Sequence, residues 1–408
     1  MKPDDVPSPA SLIVPAGVPR AARVFLALLR RLARGRLDLV TPEGALLAFE
    51  SGAEGPQAVI RLGDWRVLTE VMRRGDIGFA EAWMAGRWET PDLAELLTLA
   101  ALNHQVLEAA VYGRWWGWAA YRLRHLVRSN RRRQARRNIQ AHYDLGNEFY
   151  GLWLDAGMTY SSALFGEQPG QSLQDAQTAK YERICRVLDI REGDRVLEIG
   201  CGWGGFAEHA AGTRRCRVHG LTLSEEQLLL ARRRVAAAGL SERVALELRD
   251  YRDMRGEFDH VVSIEMFEAV GEAYWPDYFR CVRERLRPGG RAMVQTIHIA
   301  DALFARYRTG TDFIQQYVFP GGMLPSMEVF RRQARGQGLD VADAHEFGMD
   351  YALTLRHWRY RFNRRAGDVS ALGFDQRFLR LWNFYLAYCE AGFRAGTLGV
   401  SQVELRRG

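Results

Sequence analysis

Ten residues in the middle of the chain, Val196-Leu197-Glu198-Ile199-Gly200-Cys201-Gly202-Trp203-Gly204-Gly205, run from an apolar stretch carrying one acid straight into a glycine-dense turn. That arrangement suits a nucleotide-type ligand. Glycine lets the backbone turn tightly after a buried strand and come close to a bound molecule, and Phe206-Ala207-Glu208-His209-Ala210 can open a helix whose N-terminus faces it. Taken alone, the turn is weak evidence, with a plain strand-to-helix connection that binds nothing as the lesser alternative.

The turn needs a sheet to hold it. Arg217-Val218-His219-Gly220-Leu221-Thr222-Leu223-Ser224, Arg243-Val244-Ala245-Leu246-Glu247-Leu248 and Phe258-Asp259-His260-Val261-Val262-Ser263-Ile264 recur as strand-like apolar runs separated by helical stretches. After the turn signal Pro288-Gly289-Gly290, Ala292-Met293-Val294-Gln295-Thr296-Ile297 supplies a fifth strand. Alternating β/α order predicts an α/β domain with a doubly wound parallel sheet and its ligand at the carboxyl ends of the strands. A dinucleotide-binding domain is the rival. Its fingerprint wants the third glycine two residues farther on and an acid ending the second strand, where this chain has Thr222.

With 408 residues and 47% hydrophobic content, two domains with ample cores are expected. Lys2 and Lys180 are the only lysines, so the formal charge of +7 rests on arginine and suits an anionic surface, either phospholipid headgroups or nucleic acid. Five cysteines, without metal-type or disulfide-type spacing, point to a reducing cytoplasm and to no metal. The Pro3, Pro7 and Pro9 N-terminus with Asp4 and Asp5 has no signal-peptide pattern, and no stretch is long and uncharged enough to span a bilayer.

Residues 1–20, rich in Pro and Ala, are expected to be disordered. Residues 21–110 read as a small α+β accessory domain: a Val24-Phe25-Leu28-Leu29 helical stripe, the alternating Leu37-Asp38-Leu39-Val40 and Ala45-Leu46-Leu47-Ala48-Phe49, then helices with an aromatic core element from Gly78 to Trp88. Residues 111–138 hold Trp115-Trp116-Gly117-Trp118 and Tyr121, then Arg122, Arg124, Arg128, Arg131-Arg132-Arg133, Arg136 and Arg137. This is read as a membrane-surface segment with tryptophans at headgroup depth and arginines on phosphates, against a solvated linker helix or a nucleic-acid arm. Residues 139–408 complete the chain as the ligand-binding domain.

Glu198 before the turn, Asp250-Tyr251 after the third strand and Pro-Gly-Gly before the fifth resemble the class I S-adenosylmethionine-dependent methyltransferase fold. More specific motifs narrow this: His142-Tyr143-Asp144-Leu145-Gly146-Asn147-Glu148-Phe149-Tyr150, Met158-Thr159-Tyr160-Ser161-Ser162, Met266-Phe267-Glu268-Ala269-Val270-Gly271, Phe319-Pro320-Gly321-Gly322-Met323-Leu324-Pro325-Ser326 and Tyr388-Cys389-Glu390-Ala391-Gly392-Phe393-Arg394. Over residues 138 to 405 the chain closely resembles the cyclopropane-fatty-acyl-phospholipid synthase family, which includes the mycolic-acid cyclopropane synthases and related fatty-acid C-methyltransferases. The resemblance implies S-adenosylmethionine as cofactor, contacted by Tyr160, Ser161, Gly200, Gly202, Thr222, Gln227 and Ile264, with Glu198 near its amino acid or ribose end and Tyr251 near the adenine.

The implied reaction carries a methylene group from S-adenosylmethionine to the double bond of an unsaturated phospholipid acyl chain and closes a cyclopropane. Tyr150, Trp153, Phe165, Phe267, Tyr317, Phe319, Tyr351 and Trp358 are candidates to line an apolar tunnel with ring faces toward a carbocation. The family resemblance further implies a bound bicarbonate as base, held by Glu268, Gln295, Tyr351, Ser162 and Ile297. Ser162 and Gln295 stand where the family usually has cysteine and histidine, and Ala269 follows Glu268 in place of the common histidine. Those departures leave a methyl or methylene branch open as the alternative product. Cys389 matches a cysteine sometimes credited with an active-site role, though a structural role suits the chemistry better. Expected partners are unsaturated phospholipid acyl chains and an anionic membrane at its cytoplasmic face, with a homodimer left open; nucleic acid is not expected, because base-flipping motifs are missing. A non-catalytic lipid-binding protein is the remaining reading, opposed by the intact Glu198, Gly200 and Gly202.

Overall fold

The computed structural model describes residues 17–111, 145–166 and 170–408, in two units. The Trp115-to-Arg137 segment, His142-Tyr143-Asp144 and most of the proline-rich N-terminus lie outside the described residues.

The first unit joins the N-terminal residues to Gly310–Val318 and Ala366–Thr397. Its sheet has the order β2-β1-β3-β4, with β1 at Arg36–Val40, β2 at Leu46–Glu50, β3 at Gln57–Leu62 and β4 at Trp88–Glu89. The two alternating segments are strands β1 and β2, which pair antiparallel, while β3, which the sequence reading passed over, pairs parallel to β1. The helix Arg66–Met84 is broken at Gly75, whose φ of 58° and ψ of −135° only glycine adopts readily. Trp88 stacks on Phe79 at 4.1 Å, and Arg380, from the helix Gln376–Arg394, lays its guanidinium over Trp83 at 3.9 Å. These ring contacts explain why residues 366–397 pack with the N-terminal helices although their place in the sequence is within the expected 139–408 domain.

The second unit holds a seven-stranded sheet, order β10-β11-β9-β8-β5-β6-β7. All five expected strands are present: β5 at Arg195–Ile199, β6 at Arg217–Thr222, β7 at Val244–Leu248, β8 at Phe258–Ile264 and β9 at Leu286–Ile299. They pair in parallel. The Pro288-Gly289-Gly290 turn signal falls inside the long β9, where the register with β8 shifts between Phe258 and His260. β10 at Leu339–Glu346 and β11 at Leu398–Arg407 add an antiparallel edge that the sequence reading did not foresee, so the sheet is mixed.

Successive strand residues feed opposite cores. Val196, Val262 and Met293 pack with Phe206, Ala210 and Leu228 on one face, whereas Leu197, Val261 and Val294 pack with Phe267, Trp275 and Phe279 on the other. Period-two alternation with both faces covered is why these strands read as continuous apolar runs. The strand order reverses between β5 and β8, so the crevice outside their carboxyl ends is the topological switch point where this class of fold binds ligands.

Candidate functional site

The glycine turn follows β5 directly. Gly200, Gly202 and Gly204 have φ of 84°, 52° and 81°, in the left-handed region that side chains resist. Their neighbourhoods differ. A Cβ on Gly200 would meet Met266 Cγ at 2.8 Å and one on Gly204 would meet Ala231 Cβ at 3.2 Å, whereas nothing lies within 4 Å of a Cβ on Gly202. Packing therefore demands glycine at 200 and 204, and Gly202 opens onto free space where a ligand can approach the backbone.

The groups around this turn suit a polar nucleoside-type cofactor. Glu198 is buried beneath it with Oε2 lacking a partner, and burial pushes its pKa up to about 8 against the opposing Ala207 N–H and the charge of Lys180. At the end of β6, Thr222 Oγ1 donates to Gln227 Oε1 at 2.9 Å and accepts from Ser224 N–H at 3.1 Å. Tyr251 lies beyond β7, its ring edge-on to Tyr278, and Ile264 ends β8. Tyr160 lies 5.4–5.5 Å, ring to ring, from Tyr150, Trp153 and Trp358. Ser161 is clamped by one face of the helix Leu173–Leu188: Gln177 Nε2 donates to its carbonyl at 2.9 Å and Lys180 Nζ to its hydroxyl at 2.6 Å. Thus Glu198, Gly200, Gly202, Thr222, Tyr251 and Ile264 sit at or beyond the carboxyl ends of β5, β6, β7 and β8, and these residues fit S-adenosylmethionine.

Beside them lies a carboxylate that the sequence reading missed. Glu265, the residue after β8, accepts on Oε1 from Ser162 N–H at 2.8 Å and from Gln295 Nε2 at 2.7 Å, and on Oε2 from the Tyr351 hydroxyl at 2.6 Å. Gln295 is itself oriented: Gln402 Nε2 donates to its Oε1 at 3.0 Å, and Arg183 donates to Gln402 Oε1 at 2.7 Å, leaving the Gln295 amide nitrogen to face Glu265. Glu268 is held separately, its Oε1 accepting from Ile297 N–H at 2.5 Å and Thr296 Oγ1 at 3.0 Å, with Oε2 buried and unpartnered. Burial raises both pKa values. The negative charge of Glu265 helps push Glu268 up to about 8, while Lys180, Tyr351, Ser162 N–H and Gln295 hold Glu265 down against its own burial. Lys180, fully buried, is lowered to about 7 by desolvation, which Glu265, Asp155 and Glu198 oppose.

The expected bicarbonate ligands therefore divide. Ser162, Gln295 and Tyr351 converge on Glu265, and Ile297 turns its N–H to Glu268. A bicarbonate does not fit among the first three as expected, because the Glu265 carboxylate takes their hydrogen bonds. A second acid three residues ahead of Glu268, at the carboxyl end of an apolar strand, was the available signal. Cys389 belongs to the first unit, on the helix Gln376–Arg394, and burial with the charge of Asp312 pushes its thiol far above the usual range. Among the proposed tunnel aromatics, Tyr150, Trp153 and Trp358 are fully buried against one another, Phe267 packs into the core with Trp275 and Phe279, and Tyr317 belongs to the first unit.

Comparison with known proteins gives the family and the fold. Residues 130–403 match the family model described as mycolic acid cyclopropane synthetase. The chain is 41% identical to the tuberculostearic acid methyltransferase UfaA1 of Mycobacterium tuberculosis, over 98% of this chain and 95% of that one. It is 33% identical to the cyclopropane-fatty-acyl-phospholipid synthase of Escherichia coli, over 86% and 88%. The solved mycolic acid cyclopropane synthase CmaA1 complexed with SAH and CTAB superimposes with a TM-score of 0.63 at 30% identity, covering 67% of this chain and 98% of that one. The fold is that of a class I methyltransferase, and S-adenosylmethionine is the cofactor these relatives support.

Proposed function

Because the chain belongs to the mycolic acid cyclopropane synthetase family, we propose that it methylates the double bond of an unsaturated phospholipid acyl chain and then removes a proton to close a cyclopropane ring. S-Adenosylmethionine supplies an electrophilic methyl group. A double bond is a weak nucleophile, so the protein must align it with that methyl and exclude water. The observation that carries this reading is the juxtaposition at one switch point of an open glycine turn after β5 and a hydrogen-bonded carboxylate after β8. Glu198, Gly202, Thr222, Gln227, Tyr251 and Ile264 hold the cofactor, with Tyr160 and Ser161 across from them. The rings of Tyr160, Trp358 and Tyr351, whose neighbouring centroids are 5.4 and 6.1 Å apart, favour a passing cation near their faces.

The test is incubation with S-adenosylmethionine and vesicles of a monounsaturated phospholipid. Expected is one S-adenosylhomocysteine released per acyl chain that gains the mass of one CH2, with proton NMR showing ring methylene signals. Saturated vesicles and RNA should give nothing, and methylation of either in preference to the unsaturated lipid overturns the reading. A second reading, an open methyl or methylene branch, is favoured by the UfaA1 relative, named for methyl transfer and similar along nearly the whole chain. An exocyclic methylene signal in place of the ring decides for it.

A further inference from the structure

Resting on that reading of the site, we propose that Glu265 is the built-in general base of the reaction and that it takes the place of a free anion, so that turnover needs no bicarbonate. Three donors of different kinds, a main-chain N–H, an amide and a phenol, converge on this one carboxylate. A carboxylate presents the same pair of oxygens as bicarbonate, and both cannot share these donors. The backbone gives a second, independent sign. Glu265 has φ of 50°, one of few non-glycine residues among those described to do so. That conformation is unfavourable for a residue with a Cβ, and such strain persists where the surrounding structure holds the side chain in place.

Hydrogen bonds and a nearby cation oppose the burial that raises the Glu265 pKa. Lys180 is buried on the same side, bound to the Ser161 hydroxyl, and the next residue, Ser162, gives its N–H to Glu265. Asp155, Glu198 and Glu268 are the other titratable groups facing this region, and Glu198 and Glu268, each raised to about 8, carry a proton at neutral pH. Once the methyl carbon has bonded to one alkene carbon with the π electrons, the other alkene carbon is cationic. Glu265 then accepts a proton from the transferred methyl, the C–H electron pair forms the second C–C bond of the ring, and the carboxylic acid later returns the proton to water.

Two variants test this against loss of folding. Glu265→Gly relieves the left-handed strain and empties the cradle. It should lose on the order of 100-fold or more in turnover in CO2-stripped buffer, recover about tenfold or more on adding bicarbonate, and bind bicarbonate by calorimetry where wild type does not. Glu265→Gln, whose side chain still fills the cradle, should be equally slow and not be rescued. Wild type should turn over at the same rate with and without bicarbonate. A bicarbonate requirement in wild type, or full activity of Glu265→Gly in stripped buffer, overturns the proposal. Failure of the wild type to methylate any unsaturated phospholipid overturns the functional reading, and bicarbonate binding confined to Glu265→Gly still decides whether Glu265 fills an anion site.

Discussion

Two glutamates three residues apart hold different protons for reasons visible in their partners. Glu265 has three donors and a nearby buried lysine, while Glu268 has an N–H and a hydroxyl on one oxygen and nothing on the other. Glu268 is therefore the member that stays protonated, with a folded pKa of about 8 against an ordinary 4.5. The folded state then holds a proton that the unfolded state has released across the window from pH 4.5 to 8, and stability falls as pH rises through that window, levelling above it. Glu268→Gln keeps the shape and removes the titration. Its melting temperature should gain on wild type by a few degrees between pH 5 and 8, with a constant difference at higher pH. Parallel melting curves for the two proteins across that range would mean that Glu268 is ionised in the fold. Glu268 was legible through its Met-Phe-Glu motif, but Glu265 was not: an acid closing an apolar strand looks like a solvated strand end, and neither its left-handed φ nor the three donors from distant segments leaves a trace in local sequence.

At the scale of elements, the parallel strands and the glycine turn were readable because both signals are local: period-two burial on two faces, and glycine where φ is positive. β10 escaped because most of its residues are exposed and polar, and β11 because some of its buried residues are polar. Glu404 lies buried in β11 by pairing with Arg291 at 2.8 Å, and Gln402 by its bond to Gln295, so hydrophobicity understates that strand. The same locality separates the glycines. Gly200→Ala must displace Met266 and adopt an unfavourable φ, so it should lower the melting temperature. Gly202→Val has room for its side chain toward the cofactor, so it should leave far-UV circular dichroism intact, with a modest strain cost, while S-adenosylmethionine binding is lost in calorimetry. Near-normal affinity in folded Gly202→Val would remove the cofactor from this turn.

For the whole molecule, the sequence suggested a simple succession of domains, yet residues 310–318 and 366–397 pack with the N-terminal residues instead. Periodicity shows that a stretch is helical without showing its distant partner, such as Trp83 for Arg380. Charge is a property the sequence does carry at this scale. The net +7 is arginine, and among the described residues no helix is long and apolar enough to cross a membrane. On the proposed function the phospholipid substrate is met at a bilayer surface, and the Trp115-to-Arg137 segment, outside the described residues, has the composition to bind one. Each arginine near an anionic leaflet adds about 1 kcal/mol, so replacing Arg131, Arg132 and Arg133 by serine should weaken binding to phosphatidylglycerol vesicles on the order of 100-fold. Co-sedimentation measures it. Wild-type binding should fall with added salt and be slight on neutral phosphatidylcholine, whereas activity on a detergent-dispersed unsaturated lipid should be the same in both proteins, because none of the residues bonded to Glu265 is changed. Equal sedimentation of wild type and variant on anionic vesicles would make the segment a solvated linker and leave another surface to meet the membrane.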